Sequence, residues 1–192
     1  MNKLARLIST IFSPPTFAVL SMIFLAINYE TESYKKLIVI AIAFLFAFVF
    51  PIGMVIYFYK NKLISDVDGT QKAQRTVPYY IAIIIYTIGF ILLLLGKVSA
   101  VSIAFWFCYI SNTFLVILIN RYLKISIHAL GVSGPLALFV FLIGVSGLFL
   151  LPFLLIVGWS RIHLKVHSFS EVLAGAVFGF VTVYFQLIIF LR

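Results

Sequence analysis

Long apolar stretches recur along almost the whole chain, and they constrain its fold more than any other feature. No charged residue occurs between Ala129 and Trp159, whereas about 20 apolar residues suffice for a helix to cross a bilayer. In lipid the backbone must satisfy its own hydrogen bonds, so only helices or closed barrels span it. Barrel strands alternate apolar and polar residues, and residues 136–143 do not. The sequence therefore predicts an all-α, polytopic transmembrane helical bundle.

Polar segments divide this bundle, a single domain over residues 1–192, into six or seven predicted spans. The apolar stretches cover residues 7–28, 37–59, 79–95, 100–119, 129–159 and 171–191. Pro14 and Pro51 predict breaks in the first two, because proline interrupts regular helix. The fifth is too long for one crossing, and its glycines and Pro152 predict a turn that makes either a hairpin or one helix followed by a broken one. The hairpin would place the polar segments 60–78, 124–128 and 160–170 on one side of the membrane.

The formal net charge of +9 bears on the partners of the chain. In a membrane protein, basic residues anchor to anionic lipid headgroups, and no nucleic-acid-binding motif is present. We therefore expect membrane lipids as partners, no nucleic acid, and a location in the plasma (inner) membrane. Basic residues are in excess on the side of the three polar segments, which favours a cytoplasmic position, but several of them would also serve an anionic substrate, so the side of the membrane stays open. The single cysteine, Cys108, cannot form an internal disulfide.

The ionisable residues concentrate in those three polar segments, where basic side chains outnumber acidic ones. Ionisable groups at membrane depth usually face a cavity or a partner, and this balance suits an anionic substrate. His167 and Glu171 are four residues apart, so on a helix their side chains would meet. A carboxylate bonded to one imidazole nitrogen leaves the other nitrogen to attack. His128, on another segment, is placed to protonate a leaving oxygen.

A metal site is not expected at these histidines. His163 and His167 have the spacing of a zinc-binding helix, but residue 164 is leucine where that pattern has glutamate.

Three patterns in the chain resemble the signatures of the type 2 phosphatidic acid phosphatases, a family of membrane-embedded lipid phosphate phosphatases. Ser160-Arg161, five residues, His167, three residues and Glu171 is similar to the third signature, which ends in aspartate. Residues 124–128, Lys-Ile-Ser-Ile-His, resemble the second signature, Pro-Ser-Gly-His. Residues 71–78 look like a loose form of the first, which is Lys, six residues, Arg-Pro. The three patterns follow the order of the family.

The resemblance implies an enzyme without metal or cofactor that hydrolyses a lipid phosphate monoester or diphosphate through a phosphohistidine. His167 would be the nucleophile, Glu171 would orient it, and His128 would be the general acid. The phosphate oxygens would be bound by basic and hydroxyl side chains, namely Arg75, Arg161, Ser126, Lys72, Ser160 and Lys124.

The chain departs from the family pattern in all three signatures: Arg75 is not followed directly by proline, and Glu171 stands in place of the aspartate of the third. Asp68 stands where the first signature has lysine, and Ile125 and Ile127 replace the proline and glycine of the second. Two other functions stay open beside the phosphatase: a lipid phosphotransferase, and a catalytically silent lipid-binding or transport protein on the same scaffold. The sequence does not specify which lipid phosphate is the substrate.

Overall fold

The computed structural model describes all 192 residues, and the chain forms helices joined by turns, with no β-strand. Six helical stretches are long and apolar enough to cross a membrane: Asn2–Tyr29, Ser33–Lys60, Lys72–Leu95, Ala100–Ile119, Ile127–His163 and Phe169–Leu191. The predicted all-α polytopic transmembrane bundle is therefore confirmed. The chain divides into two compact units, which are described separately below.

The first unit comprises Met1–Phe17, Tyr122–Phe190 and Arg192. It contains helix α1 (Asn2–Ile11), the beginning of α2 (Pro14–Tyr29), α7 (Ile127–Ile143), α8 (Leu151–His163) and nearly all of α9 (Phe169–Leu191). The predicted break at Pro14 is present, since α1 ends at Ile11 and a new helix begins at the proline. Helix α1 packs against α8, and the rings of Phe12, Phe17 and Phe153 cluster beside this contact.

The fifth apolar stretch folds as a hairpin within the first unit, the first of the two predicted arrangements. Helix α7 ends at Ile143, and the next residue, Gly144, has a φ of +64°, a left-handed conformation that favours glycine. A 3₁₀ turn, Gly144–Leu150, then folds back on α7 so closely that a Cβ on Gly147 would lie 2.4 Å from the backbone of Phe139. Helix α8 packs against α7. The chain thus leaves the polar end of the unit at α7 and returns to it at the end of α8.

The second unit comprises Ala18–Arg121 and Leu191. It contains the rest of α2, then α3 (Ser33–Ile42), a π-helical turn (Ala43–Val49), α4 (Phe50–Lys60), α5 (Thr76–Leu95) and α6 (Ala100–Ile119). The π-helical turn immediately precedes Pro51, which cannot donate a backbone hydrogen bond and whose ring crowds the preceding turn. Helices α5 and α6 pack closely, because Gly89 leaves room for the ring of Trp106.

A buried carboxylate fastens two segments of the second unit. Glu30, in the link between α2 and α3, accepts hydrogen bonds from the backbone nitrogen and hydroxyl of Ser99 and from the hydroxyl of Ser102. Ser99 is the N-cap of α6, and a negative charge is favourable at that end of a helix. The sequence assigned no role to Glu30, because its partners lie 69 and 72 residues away.

Candidate active site

His167 and Glu171 form a hydrogen-bonded pair at the polar end of the first unit. The Nδ1 atom of His167 lies 2.6 Å from Oε2 of Glu171. The predicted contact is present, but the two residues do not share a helical face. His167 lies in the turn after α8, and α9 begins only at Phe169, which places Glu171 in the first turn of that helix. The two side chains meet across the start of α9 and not along one helix.

Local backbone structure holds this pair in position. The carbonyl of Arg161, near the end of α8, accepts from the backbone nitrogens of Val166 and His167. Lys165, which lies between Arg161 and Val166, has a φ of +57°, so the chain turns sharply there. Ser168 is the N-cap of α9, and its hydroxyl accepts from the backbone nitrogen of Glu171 at 3.2 Å. Both partners of the pair are therefore tied to helix ends.

The Ser-x-x-Glu pattern of residues 168–171 is the sequence feature that indicates this helix start, and the predictions above did not use it. Such a pattern before an apolar run marks a helix start and often forms a capping box. Here the serine caps the helix as that pattern predicts, whereas the Glu171 carboxylate contacts the ring of His167. Recognition of this pattern would have shown that His167 lies before the first turn of α9.

The geometry fixes the roles of the two nitrogens of His167. A carboxylate has no hydrogen to donate, so Nδ1 donates in this pair and the lone pair of the neutral ring lies on Nε2. The His167 side chain is only 2% exposed, whereas that of Glu171 is 26% exposed. The carboxylate also benefits from its position at the positive end of α9. The hydrogen bond at Nδ1 therefore orients the ring, and Nε2 is its basic nitrogen.

Lys124 joins the second polar segment to this pair. Its Nζ donates to the carbonyl of Val166 at 2.8 Å and lies 3.8 Å from Oε2 of Glu171. The backbone nitrogen of Ser126 donates to the carbonyl of Glu171 at 3.0 Å. This close approach requires glycine at position 175, because a Cβ there would lie 2.4 Å from the Ser126 carbonyl oxygen.

His128 is the second residue of α7 and is half-buried. Because α7 begins against the first turn of α9, His128 lies at the same end of the unit as His167. The polar segments 124–128 and 160–170 therefore meet, as the hairpin predicted.

Two serines predicted to bind phosphate already have partners in the protein. The hydroxyl of Ser126 accepts from the backbone nitrogen of Ala129 as the N-cap of α7. An accepting hydroxyl retains its own hydrogen to donate. Ser160 donates its hydrogen to the carbonyl of Val157 at 2.7 Å, within α8. In this conformation Ser126 keeps a donor for an anion, whereas the hydrogen of Ser160 is used inside its own helix.

Arg161 is completely shielded from solvent. Its Nη1 donates to the hydroxyl of Ser9 on α1 at 2.5 Å. The sequence gave no indication of this partner, which lies 152 residues away.

The first polar segment, with Lys72 and Arg75, belongs to the second unit. Lys72 donates to the carbonyl of Arg121 at 2.9 Å, just beyond the end of α6, where a cation is favourable. Arg75 is buried, and its Nε donates to the carbonyl of Gly69 at 2.6 Å. Both side chains thus have roles in fastening their own unit.

The loop before Lys72 is held by Asp66. Its carboxylate accepts from the backbone nitrogen and the hydroxyl of Thr70 and from the hydroxyl of Ser65. Partial burial acts to raise the pKa of Asp66, but these hydrogen bonds outweigh it and lower the pKa below its ordinary value. Asp66 therefore stabilises the turn that precedes Lys72.

No family model, curated protein or solved structure matches this chain. The geometry of the site and the sequence patterns therefore carry the inference about function.

Metal binding has no ready donor set in this protein. No three side chains of histidine, cysteine, aspartate or glutamate come together in a way that could hold a metal ion. The ring of His163 stacks on Trp159 with 5.1 Å between the ring centres.

An apolar groove runs between α7, α8 and α9 and begins beside the polar end of the unit. It has a volume of about 540 Å³. Ile162 and Phe169, which flank the turn that carries His167, line one end, and Leu151 and Val181 line the other. Phe169 and Val181 are twelve positions apart on α9, a length of about 18 Å at the rise of an α-helix. The groove is long enough for one extended hydrocarbon chain.

Proposed function

We propose that this protein is a membrane-embedded lipid phosphate phosphatase of the type 2 phosphatidic acid phosphatase kind. One observation carries the proposal: the oriented His167–Glu171 pair has Lys124 3.8 Å from its carboxylate, and its histidine lies in a turn that bonds to the backbone of the buried Arg161. A histidine with one nitrogen held by a carboxylate is an activated nucleophile. Cationic side chains around it stabilise the charge that develops on a transferred phosphoryl group.

The proposed reaction has two steps. In the first, Nε2 of His167 forms a bond to phosphorus while the bond from phosphorus to the lipid oxygen breaks. Protonated His128 donates its proton to that leaving oxygen. In the second, water attacks phosphorus as neutral His128 accepts a proton from it, and the bond from phosphorus to nitrogen breaks. Inorganic phosphate leaves, and both histidines return to their starting states.

The surrounding residues have distinct proposed roles in these steps. Glu171 stabilises the positive charge that His167 gains as it attacks. Arg161 and the remaining hydroxyl hydrogen of Ser126 bind phosphoryl oxygens. Lys124, which contacts both Glu171 and the turn at Val166, holds the pair together and adds positive charge nearby.

The apolar groove supports a lipid as the substrate. Ile162 and Phe169, at its near end, lie close in the chain to Arg161 and His167. A lipid tail in the groove would therefore keep its phosphate at the polar end. Ala176 lines the groove, whereas Ala174, two residues earlier, does not. We expect Ala176→Phe to raise KM for long-chain lipid phosphates and to leave a short-chain ester unaffected. Ala174→Phe is the matched control.

The test is phosphate release by the purified protein from a panel of lipid phosphates, with EDTA present. Wild type should release phosphate, and His167→Ala should abolish release while the protein stays folded. His163→Ala removes a second histidine four residues earlier and should retain turnover of a short-chain substrate. Trapping of a phosphoryl group that is stable in base and labile in acid would identify the phosphohistidine.

Two other outcomes have defined meanings. Transfer of the phosphoryl group to an added alcohol in preference to water would make the protein a phosphotransferase with the same residues. Retained lipid binding without any phosphate release would make it a silent lipid-binding protein and refute the proposal.

A further inference from the structure

The N-terminal helix contributes one buried polar atom to the polar end of the first unit. Helix α1 has only two buried residues, Ala5 and Ser9, which lie four residues apart on the face toward α8. Its other face exposes Lys3, Leu4 and Leu7, a mixture typical of a helix that lies among lipid headgroups.

The buried hydroxyl of Ser9 has a specific partner. It accepts from Nη1 of Arg161 at 2.5 Å, and the two residues are 3% and 0% exposed. A small apolar residue such as the neighbouring Ala5 would satisfy the packing of this face. A hydroxyl that is buried there without a hydrogen bond would destabilise the protein, so its presence indicates a role for the bond to arginine.

Arg161 is tethered at both its backbone and its side chain. Its carbonyl accepts from the backbone nitrogens of Val166 and His167, and thereby shapes the turn that carries the proposed nucleophile. Its guanidinium is directed by Ser9. A free arginine side chain has about 2 kcal/mol of rotamer entropy. A neighbour that already fixes the guanidinium reduces the rotamer entropy that is lost when an anion binds.

We propose that Ser9 is a positioning residue that holds the guanidinium of Arg161 in the orientation that binds a phosphoryl group. The nature of the anion rests on the proposed function, whereas the Ser9–Arg161 contact does not. Under this proposal, helix α1 is part of the anion site as well as a membrane anchor. Ser9 acts through Arg161 and takes no part in bond making or breaking.

Three variants of α1 test this proposal. Ser9→Ala removes the hydroxyl, and Ser9→Thr retains it. Thr10→Ala removes an exposed hydroxyl from the next position, where it bonds only to the carbonyl of Arg6. The first readout is the rise in melting temperature that inorganic phosphate causes, which reports anion binding without turnover. The second is KM and kcat for a lipid phosphate, with inhibition by orthovanadate.

We expect Ser9→Ala to raise KM and to weaken phosphate and orthovanadate binding by about tenfold, the size of one hydrogen bond to a charged group. The kcat value should change much less, Ser9→Thr should restore most of the affinity, and Thr10→Ala should match wild type. If Ser9→Ala does not fold, Ser9→Cys keeps the side-chain size with a weaker hydrogen bond and should show a smaller loss of phosphate affinity.

The results separate this inference from the proposed function. If wild type hydrolyses no lipid phosphate but phosphate still stabilises it in a Ser9-dependent way, the phosphatase proposal fails and the role of Ser9 stands. If Ser9→Ala lowers the melting temperature while phosphate and orthovanadate bind as in wild type, Ser9 only fastens α1 to α8 and the inference is overturned. An absence of any phosphate effect on wild type also overturns it.

Discussion

Replacement of Glu171 by glutamine tests the proposed mechanism with little change of shape. Glutamine has the same number of heavy atoms and can keep the backbone contacts of Glu171 with Ser168 and Ser126. The start of α9 and its approach to α7 should therefore be preserved. What changes is the charge beside Nδ1 of His167, 2.6 Å from the carboxylate oxygen.

The size of the effect follows from this contact. A hydrogen bond to a charged group contributes about 1.5–3 kcal/mol, which corresponds to a loss of kcat between about tenfold and about 150-fold. The amide of glutamine can also donate to Nδ1, which would move the ring hydrogen to Nε2 and remove the attacking lone pair. The analogous carboxylate-to-amide change in a Ser-His-Asp triad lowers kcat by about 10⁴ for this reason. We expect a loss between about 10² and about 10⁴.

The assay is steady-state phosphate release from a short-chain lipid phosphate, with the melting temperature of each variant as the folding check. Glu32→Gln makes the same chemical change at an exposed glutamate that pairs with Lys35 in the second unit, and it should be neutral. Nitrogen NMR of His167 should show the hydrogen on Nδ1 in wild type and a shift toward Nε2 in Glu171→Gln. A kcat within a factor of two of wild type would refute the orienting role of Glu171.

Three further predictions concern folding and pH. Ser168→Ala should destabilise the protein by about 1 kcal/mol in reversible unfolding in detergent, because it removes the N-cap of α9. Gly147→Ala should cost about 3 kcal/mol, because its Cβ would lie 2.4 Å from the backbone of Phe139, whereas Gly53→Ala meets no atom within 4 Å and serves as the control. The lowered pKa of Asp66 contributes stability that is present above the ordinary aspartate pKa and is lost as pH falls through the folded value; Asp66→Asn should flatten this loss in thermal melts at acidic pH.

The sequence by itself determined the class of the fold, since only helices and closed barrels span lipid and the long apolar stretches lack the alternation of barrel strands. It also determined the break at Pro14 and indicated a turn near Gly144, because proline and glycine restrict or permit backbone conformations locally, whereas the hairpin itself was one of two arrangements left open. The pairing of His167 with Glu171 was predictable from spacing, although the residues meet across a helix start.

Only the tertiary structure decided which polar groups from distant segments meet. Lys124 reaches a carbonyl 42 residues away, Arg161 a hydroxyl 152 residues away, and Ser99 reaches Glu30 over 69 residues. Such contacts depend on how the helices pack. Packing is driven by apolar faces, and the pattern of apolar residues does not specify which polar atoms will become neighbours. Local patterns encode turns and caps over a few residues, whereas partners from distant segments become neighbours only when the chain has folded.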